Sequence, residues 1–250
     1  MASMTTMRAL LRAPAELRPL LYQIRRAAYH SYDTPQPPPY RDAESKILGN
    51  AYALVPTHGF TKEALTLGAK EAGYLEVSTN LFPKGAFDLV KYHLVTQRLG
   101  LKDRIQFPDE KMGVGRKVRS LVLERLRANV DTGVLPRWQE GLGLMSLAEN
   151  IPASLRELRD LSDEIWFLAG DASVDTSWYT KRASLAGIYA TTEVFQTTDQ
   201  STDLKDTEEF LDRRLEELRV AGSAVSNTLE WVGFQQGALV NLLRSKGVRI

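Results

Sequence analysis

From Asp42 onward the apolar residues of the chain recur every three or four positions, which is the repeat of an amphipathic helix. The first such segment contains the apolar residues Ile47, Leu48, Ala51, Leu54 and Val55. No stretch alternates apolar and polar residues over the length of a strand, and no Asn-Gly or Asp-Gly turn joins two β-branched runs. The pattern therefore predicts an all-α fold.

The expected helix boundaries follow from capping residues, glycines and prolines. Thr61 is placed to cap a helix that Gly73 ends. A short segment follows, and Pro83-Lys84-Gly85 predicts a turn before a fourth helix. Further helices are predicted at about 113–130, 135–148, 152–169, 177–197, 203–222 and 223–246.

The composition excludes several kinds of site. The chain has no cysteine, which rules out disulfides, thiolate nucleophiles and cysteine metal sites. The three histidines, His30, His58 and His93, lack the spacing of metal ligands, and no nucleophile elbow occurs. Gly113-Val114-Gly115 lacks the third glycine of a dinucleotide-binding fingerprint. We therefore predict no catalytic residue, no metal, no cofactor and no enzymatic activity.

Residues 1–40 differ in composition from the rest of the chain. They hold five arginines against only Glu16 and Asp33, with apolar residues in between. This composition is typical of a mitochondrial transit peptide, and a disordered tail without a targeting role is the alternative. Residues 34–40 predict a proline-stiffened linker. We assign residues 1–40 to a transit peptide and linker, with cleavage expected near residues 26–31.

Residues 223–246 predict an unusually apolar helix, because apolar side chains cover well over half of its helical wheel. A helix of this kind docks on a bundle, dimerises or enters a membrane interface. No apolar run reaches the length of a membrane-spanning helix, so any membrane attachment is expected to be peripheral. The candidate membrane-associating residues are Leu229, Trp231, Val232, Phe234, Leu239, Leu242 and Leu243.

In residues 163–199, two tryptophans flank a short acidic loop that leads into a helix. Large aromatic residues at such a corner are either buried anchors or a protein-binding hot spot, and Trp166 and Trp178 fit both roles. Asp171 and Asp175 allow a catalytic acid pair, but their position favours capping and an interface. Arg182 lies one turn after Trp178, where it is placed to pair with Asp175.

Residues 68–96, GAKEAGYLEVSTNLFPKGAFDLVKYHLVT, have the layout of the TetR helix-turn-helix. In a DNA-binding version the second helix enters the major groove beside phosphates. Residues 71–83 contain Glu71 and Glu76 but no lysine or arginine, so phosphates would repel this segment. We predict no nucleic-acid binding. A ligand-sensing, DNA-binding regulator of the TetR type is the alternative function.

Three stretches, VPTHGFTKEAL, NIPASL and AGDASVDTSWYTKRASLAGIYATTE, resemble the lipid-binding accessory proteins of mitochondrial ubiquinone biosynthesis. The fold of that family is similar to the TetR fold. The resemblance implies a TetR-like helical bundle with a helix-turn-helix-like subdomain at 41–100 that does not bind DNA. It further implies a lipid-binding bundle at 101–222, an amphipathic membrane-associating helix at 223–250, and a homodimer.

The resemblance also implies a function. Members of the family bind isoprenoid lipids and are understood to present quinone intermediates to the di-iron demethoxyubiquinone hydroxylase of the ubiquinone-synthesis complex. The implied location is peripheral, on the matrix side of the mitochondrial inner membrane. The partner-binding patch of the family matches Ile165, Asp175, Trp178 and Tyr179. The small residues of helix 177–197 either allow close helix packing or leave room for a ligand, and its candidate lipid-binding residues are Leu185, Ile188 and Tyr189.

Overall fold

The computed structural model describes residues 38–107, 111–171 and 177–224, and their regular structure is helical, without a strand in these ranges. This confirms the predicted all-α class. The α-helices are α1 (Asp42–Ala53), α2 (Val55–His58), α3 (Lys62–Glu71), α4 (Ala86–Leu99), α5 (Leu101–Arg104), α6 (Val114–Asp131), α7 (Trp138–Met145), α8 (Ile151–Leu168), α9 (Ser177–Gln196) and α10 (Lys205–Ala224). Short 3-10 helices span Glu76–Leu81, Leu135–Arg137 and Thr202–Leu204.

The boundaries of α3 follow the expected capping chemistry. The Thr61 hydroxyl accepts a hydrogen bond from the backbone N–H of Ala64 at 3.1 Å, which satisfies a free donor at the start of the helix. Gly73 follows the helix with φ at +81°, in the left-handed region that glycine adopts without steric cost. The predicted start and end of this helix are therefore confirmed.

Helices α1 and α3 cross closely because Gly68 has no side chain. A Cβ atom at Gly68 would lie 2.3 Å from the backbone nitrogen of Ala51. The crossing belongs to a first hydrophobic cluster, which α4 and α7 complete with Phe87 and Trp138. Its other buried members include Ile47, Leu48, Val55, Phe60, Leu65, Leu89, Val90 and Val134.

A second hydrophobic cluster holds together α6, α8, α9 and α10. Its buried members are Leu101, Val118, Leu121, Val122, Leu126, Leu161, Ile165, Ala169, Leu185, Ile188, Tyr189 and Leu211. None of the helices in the described ranges combines the length and apolar character that spanning a membrane requires. The predicted transit peptide lies outside the described residues, and so do the seven membrane-associating candidates of the terminal helix.

The segment that corresponds to a TetR recognition helix differs from the expected helix. It forms the six-residue 3-10 helix Glu76–Leu81 instead of an α-helix. Leu75 is 78% exposed and Val77 is 64% exposed, and the acidic side chains of Glu71 and Glu76 are exposed beside them. This surface therefore presents apolar and negative groups.

Candidate functional site

An apolar cavity of about 240 Å³ lies between α4, α6, α7, α8 and α9. The small side chain of Ala190 helps to leave this space open. Leu155 lines the cavity and is 58% exposed, so the cavity reaches the protein surface at this residue. The other apolar lining residues are Leu94, Leu142, Met145, Ile151, Leu158, Leu161 and Val194.

Three polar residues converge on this cavity from α6 and α9. Arg125, Tyr189 and Glu193 all line it, and all three are buried. The hydroxyl of Tyr189 donates a hydrogen bond to Glu193 Oε1 at 2.8 Å, and Arg125 lies 4.0 Å from the same oxygen. The cavity thus has a mostly apolar wall with a small polar group of residues, which is the usual make-up of a small-molecule site.

A buried hydrogen-bond chain behind the cavity has a defined direction. The carbonyl of Leu126 only accepts, so the side-chain nitrogen of Gln196 donates to it at 2.9 Å. The Gln196 oxygen then accepts from Asn129 at 3.0 Å, which leaves the Asn129 oxygen as an acceptor. His93 Nε2 donates to that oxygen at 3.0 Å, and His93 Nδ1 accepts the hydroxyl of Tyr52 at 2.6 Å. The acceptor-only carbonyl of Leu126 thus fixes the orientation of the Gln196 and Asn129 amides and the tautomer of His93.

Burial determines the protonation of the titratable residues around Arg125. Desolvation, followed by the positive charge of Arg125, holds the pKa of His93 well below its ordinary 6.5, so the imidazole is neutral. Desolvation also raises the pKa of Glu193, although the charge of Arg125 opposes that shift. Burial raises the pKa of Tyr189 well above its ordinary value, so Tyr189 stays protonated. The positive charge of the Arg125 guanidinium thus acts on the pKa of His93, Tyr189 and Glu193 alike.

The corner between α8 and α9 presents a second candidate site, the aromatic patch formed by Trp178 and Tyr179. Their rings meet edge to face with centroids 4.8 Å apart, and Tyr179 is 73% exposed. The guanidinium carbon of Arg182 lies 3.9 Å from the centre of the Trp178 ring. An exposed tyrosine beside a tryptophan and an arginine has the composition of a protein-binding hot spot.

Ion pairs and a tryptophan fix the position of this aromatic patch. Arg182 pairs with Asp163 at 2.5 Å and with Asp171 at 3.5 Å, and Lys181 pairs with Asp171 at 2.8 Å. The ring nitrogen of Trp166 donates to the carbonyl of Lys181 at 3.1 Å. Trp166 therefore acts as an anchor between α8 and α9. The expected pairing of Arg182 with Asp175 stays a prediction, because Asp175 lies outside the described residues.

The structure separates several of the residues that the sequence placed together. Ile165 is fully buried in the second hydrophobic cluster, so its side chain does not face solvent. Leu185 and Ile188 are likewise fully buried core residues, and they do not line the cavity. Of the three expected lipid-binding residues, Tyr189 alone lines it.

Arg125 and Glu193 are functional candidates that the sequence analysis missed. Helix α6 carries several basic residues, and Arg125 differs from the others because it continues the buried stripe of Val118, Leu121 and Val122. Its spacing from these residues is the available signal, because an arginine at three- and four-residue intervals from core positions shares their face of the helix. Two partners of Arg125, His93 of α4 and Glu193 of α9, are brought to it only by the fold, whereas its third partner Asn129 lies one turn along α6.

Comparisons with known proteins identify the family. The model of the COQ9 family matches residues 151–222, which contain α8, α9 and most of α10. The ubiquinone biosynthesis protein coq9, mitochondrial, of Schizosaccharomyces pombe is 34% identical over 228 residues, covering 89% of this chain and 88% of that protein. COQ9-A of Xenopus laevis is 34% identical over 79% of this chain and 69% of its own length.

The human relative, ubiquinone biosynthesis protein COQ9, mitochondrial, is 35% identical over 179 residues. That match covers 69% of this chain and 56% of the human protein. The similarity to the fission-yeast relative extends over nearly the whole of both chains, which confirms the family that the sequence stretches predicted. The chain therefore belongs to the COQ9 family.

Proposed function

We propose that this protein is a lipid-binding accessory protein of ubiquinone biosynthesis. In this role it binds polyprenyl quinone intermediates at the membrane and presents them to the di-iron demethoxyubiquinone hydroxylase. The relatives are named ubiquinone biosynthesis proteins and are named mitochondrial, which supports the pathway and the mitochondrial location. The peripheral position on the matrix side of the inner membrane and the homodimer are parts of the proposal.

The cavity is the observation that carries this proposal. A prenylated quinone has a ring with polar oxygens and a long apolar tail, and the cavity combines a mostly apolar wall with the buried polar group of Arg125, Tyr189 and Glu193. A cavity of roughly 150 Å³ is large enough for benzene. The 240 Å³ observed here has room for a substituted ring with the start of a tail, while the remaining tail leaves past Leu155.

The aromatic patch supports the presentation step. Tryptophan, tyrosine and arginine dominate the residues that contribute most to protein–protein affinity. Trp178 and Arg182 are held in place by the contacts described above, so a partner would meet a surface that is already ordered. Pre-ordering reduces the entropic cost of docking.

A DNA-binding regulator is not favoured. The segment in the position of a recognition helix exposes Leu75, Val77 and the carboxylates of Glu71 and Glu76. Affinity for DNA depends on cationic contacts to phosphates, and residues 71–83 contain no lysine or arginine.

The quinone profile of cells that lack this chain tests the proposed function. We expect loss of ubiquinone and accumulation of the late precursor that the hydroxylase has not yet modified. Re-expression of the intact chain serves as the control and should restore the profile. An unchanged ubiquinone content would contradict the assignment to this pathway.

Capture of the hydroxylase tests the role of the aromatic patch. We expect Tyr179→Ala to weaken capture about 30-fold, because truncation of a central interface tyrosine costs about 2 kcal/mol or more. The fold should be unchanged, since Tyr179 is 73% exposed. Leu75→Ala is the matched control, because Leu75 is also strongly exposed but lies in the first half of the chain. Equal capture by both variants would exclude the patch as the docking site.

A further inference from the structure

Arg125 is a fully buried cation whose donors are incompletely satisfied. It has 0% exposure and forms part of the cavity wall. Its Nε–H has no hydrogen-bond partner among the described residues. A buried donor without an acceptor is costly, and most such donors in proteins have a partner. Arg125 therefore keeps an unpaired N–H in a residue of the cavity wall, and an acceptor on a bound ligand would satisfy it.

The neighbours of Arg125 leave it with spare donors. One terminal nitrogen donates to Asn129 Oδ1 at 2.8 Å. The other lies 3.3 Å from His93 Nε2, which already carries a proton that it donates to Asn129. Glu193 is 4.0 Å away and accepts the Tyr189 hydroxyl. Arg125 thus keeps a hydrogen-bond donor for which a complementary ligand supplies the acceptor.

We infer that Arg125 determines the specificity of the cavity by donating its Nε–H to an oxygen acceptor on the ligand head group. The acceptor is a carbonyl oxygen of a prenylated quinone ring, and the apolar wall holds the isoprenoid chain. This inference rests on the proposed function, which it deepens by naming the group that recognises the ring. Arginine is suited to this role because it donates only and never loses its proton in a protein.

The inference separates head-group recognition from burial of the tail. An isoprenoid hydrocarbon gains the same apolar contacts but leaves the N–H unpaired, whereas a quinone oxygen satisfies it. Hydrogen bonds to charged groups are stronger than neutral ones, so a quinone should bind roughly tenfold to a hundredfold more tightly than its hydrocarbon analogue. An ester carbonyl of a phospholipid is also an acceptor, so it is the alternative source of the same chemistry.

Binding to the full chain, measured by titration calorimetry, tests the inference with three probes. They are a benzoquinone with one isoprenoid unit, the prenylated benzene without ring oxygens, and a short-chain phosphatidylcholine. Arg125→Lys keeps the positive charge and removes the Nε–H. We expect it to weaken quinone binding about tenfold and to leave the hydrocarbon unchanged. Arg119→Lys is the matched control, because Arg119 lies on the same helix and pairs with Glu208 and Asp212.

Infrared spectroscopy of the bound quinone gives a readout that a merely structural role of Arg125 would not change. A charge-assisted hydrogen bond weakens the carbonyl bond, so the carbonyl stretch should shift to lower frequency in the wild-type complex. It should return toward the free value in Arg125→Lys and remain shifted in Arg119→Lys. If Arg125→Lys does not fold, the wild-type preference for quinone over hydrocarbon and the wild-type carbonyl shift decide the question.

The outcomes distinguish this inference from the proposed function. Equal affinity for quinone and hydrocarbon, with an unshifted carbonyl, would overturn the role of Arg125 while lipid binding stands. Failure of all three probes to bind would overturn both. A loss of affinity in Arg125→Lys for phosphatidylcholine alone would show that the acceptor is a phospholipid oxygen, which would overturn the assignment to a quinone.

Discussion

Filling the cavity at Ala190 should make the protein more stable and at the same time less able to bind its ligand. Ala190 lies in α9 and lines the cavity. Leucine adds three carbon atoms there, each worth about 0.8 kcal/mol when buried, so the free energy of unfolding should rise by up to about 2 kcal/mol. For a protein of this size that corresponds to an increase in melting temperature of about 4–8 °C.

The same substitution should reduce ligand affinity. Three added carbons, each needing about as much room as a water molecule of roughly 30 Å³, take up about a third of the cavity. The 240 Å³ space then no longer holds a substituted ring with the start of a tail. We expect the affinity for the short-chain benzoquinone to fall more than tenfold in calorimetry, while circular dichroism reports the higher melting temperature.

Opposite changes in stability and affinity are the distinguishing result. Ala183→Leu is the matched control, because Ala183 lies in the same helix and is exposed. We expect it to change stability by less than about 0.5 kcal/mol and to leave quinone binding intact. A lower melting temperature for Ala190→Leu would show that the space is not available to a larger side chain. Undiminished quinone binding would show that the ligand binds elsewhere.

Two further predictions concern the core. Gly68→Ala should lower the free energy of unfolding, measured in urea, by about 2–3 kcal/mol, because the added Cβ would lie 2.3 Å from the backbone nitrogen of Ala51. Gly143→Ala is the control and should not lower it, because the space around the added Cβ is open. Reversal of that order would refute the close helix crossing. Below pH 6.5, stability should fall by up to about 1.4 kcal/mol per pH unit until the lowered folded pKa of His93 is reached, because only the unfolded chain gains the proton. The raised pKa of Glu193 changes stability with pH in the opposite direction, so the dependence of unfolding free energy on pH is measured in the Glu193→Gln variant. Adding His93→Gln to that variant should abolish the loss of stability below pH 6.5. A loss that persists in the double variant would refute its assignment to His93.

Local signals in the sequence were sufficient to predict most of the long helices. The expected cap at Thr61 and the stop at Gly73 depend on residues within a few positions of each other, and both occur as expected. The predicted helices at 113–130 and 152–169 correspond to α6 and α8 within one residue at each end. Helix formation and termination are decided largely within one or two turns, so a single sequence contains that information.

The cavity could not be predicted from the sequence, because open space depends on side chains from several helices. Leu185 and Ile188 resemble Tyr189 in spacing and apolar character, yet they pack in the core while Tyr189 lines the cavity. The difference is set by residues such as Leu142 and Leu158, which come from α7 and α8. Arg125 was missed for a related reason, since two of its buried partners, His93 and Glu193, lie far away in sequence.

The placement of both candidate sites on the pair α8 and α9 means that each can be altered separately. On α9, the aromatic patch at Trp178 and the cavity residue Tyr189 are about three helical turns apart, or about 17 Å along the axis. On α8, the cavity mouth at Leu155 and the anchor Trp166 have the same separation. Side chains this far apart without shared partners contribute almost additively. Tyr179→Ala should therefore lose the hydroxylase but keep quinone affinity, and Ala190→Leu should do the reverse, because binding of the ligand and docking of the partner use opposite ends of one helix pair.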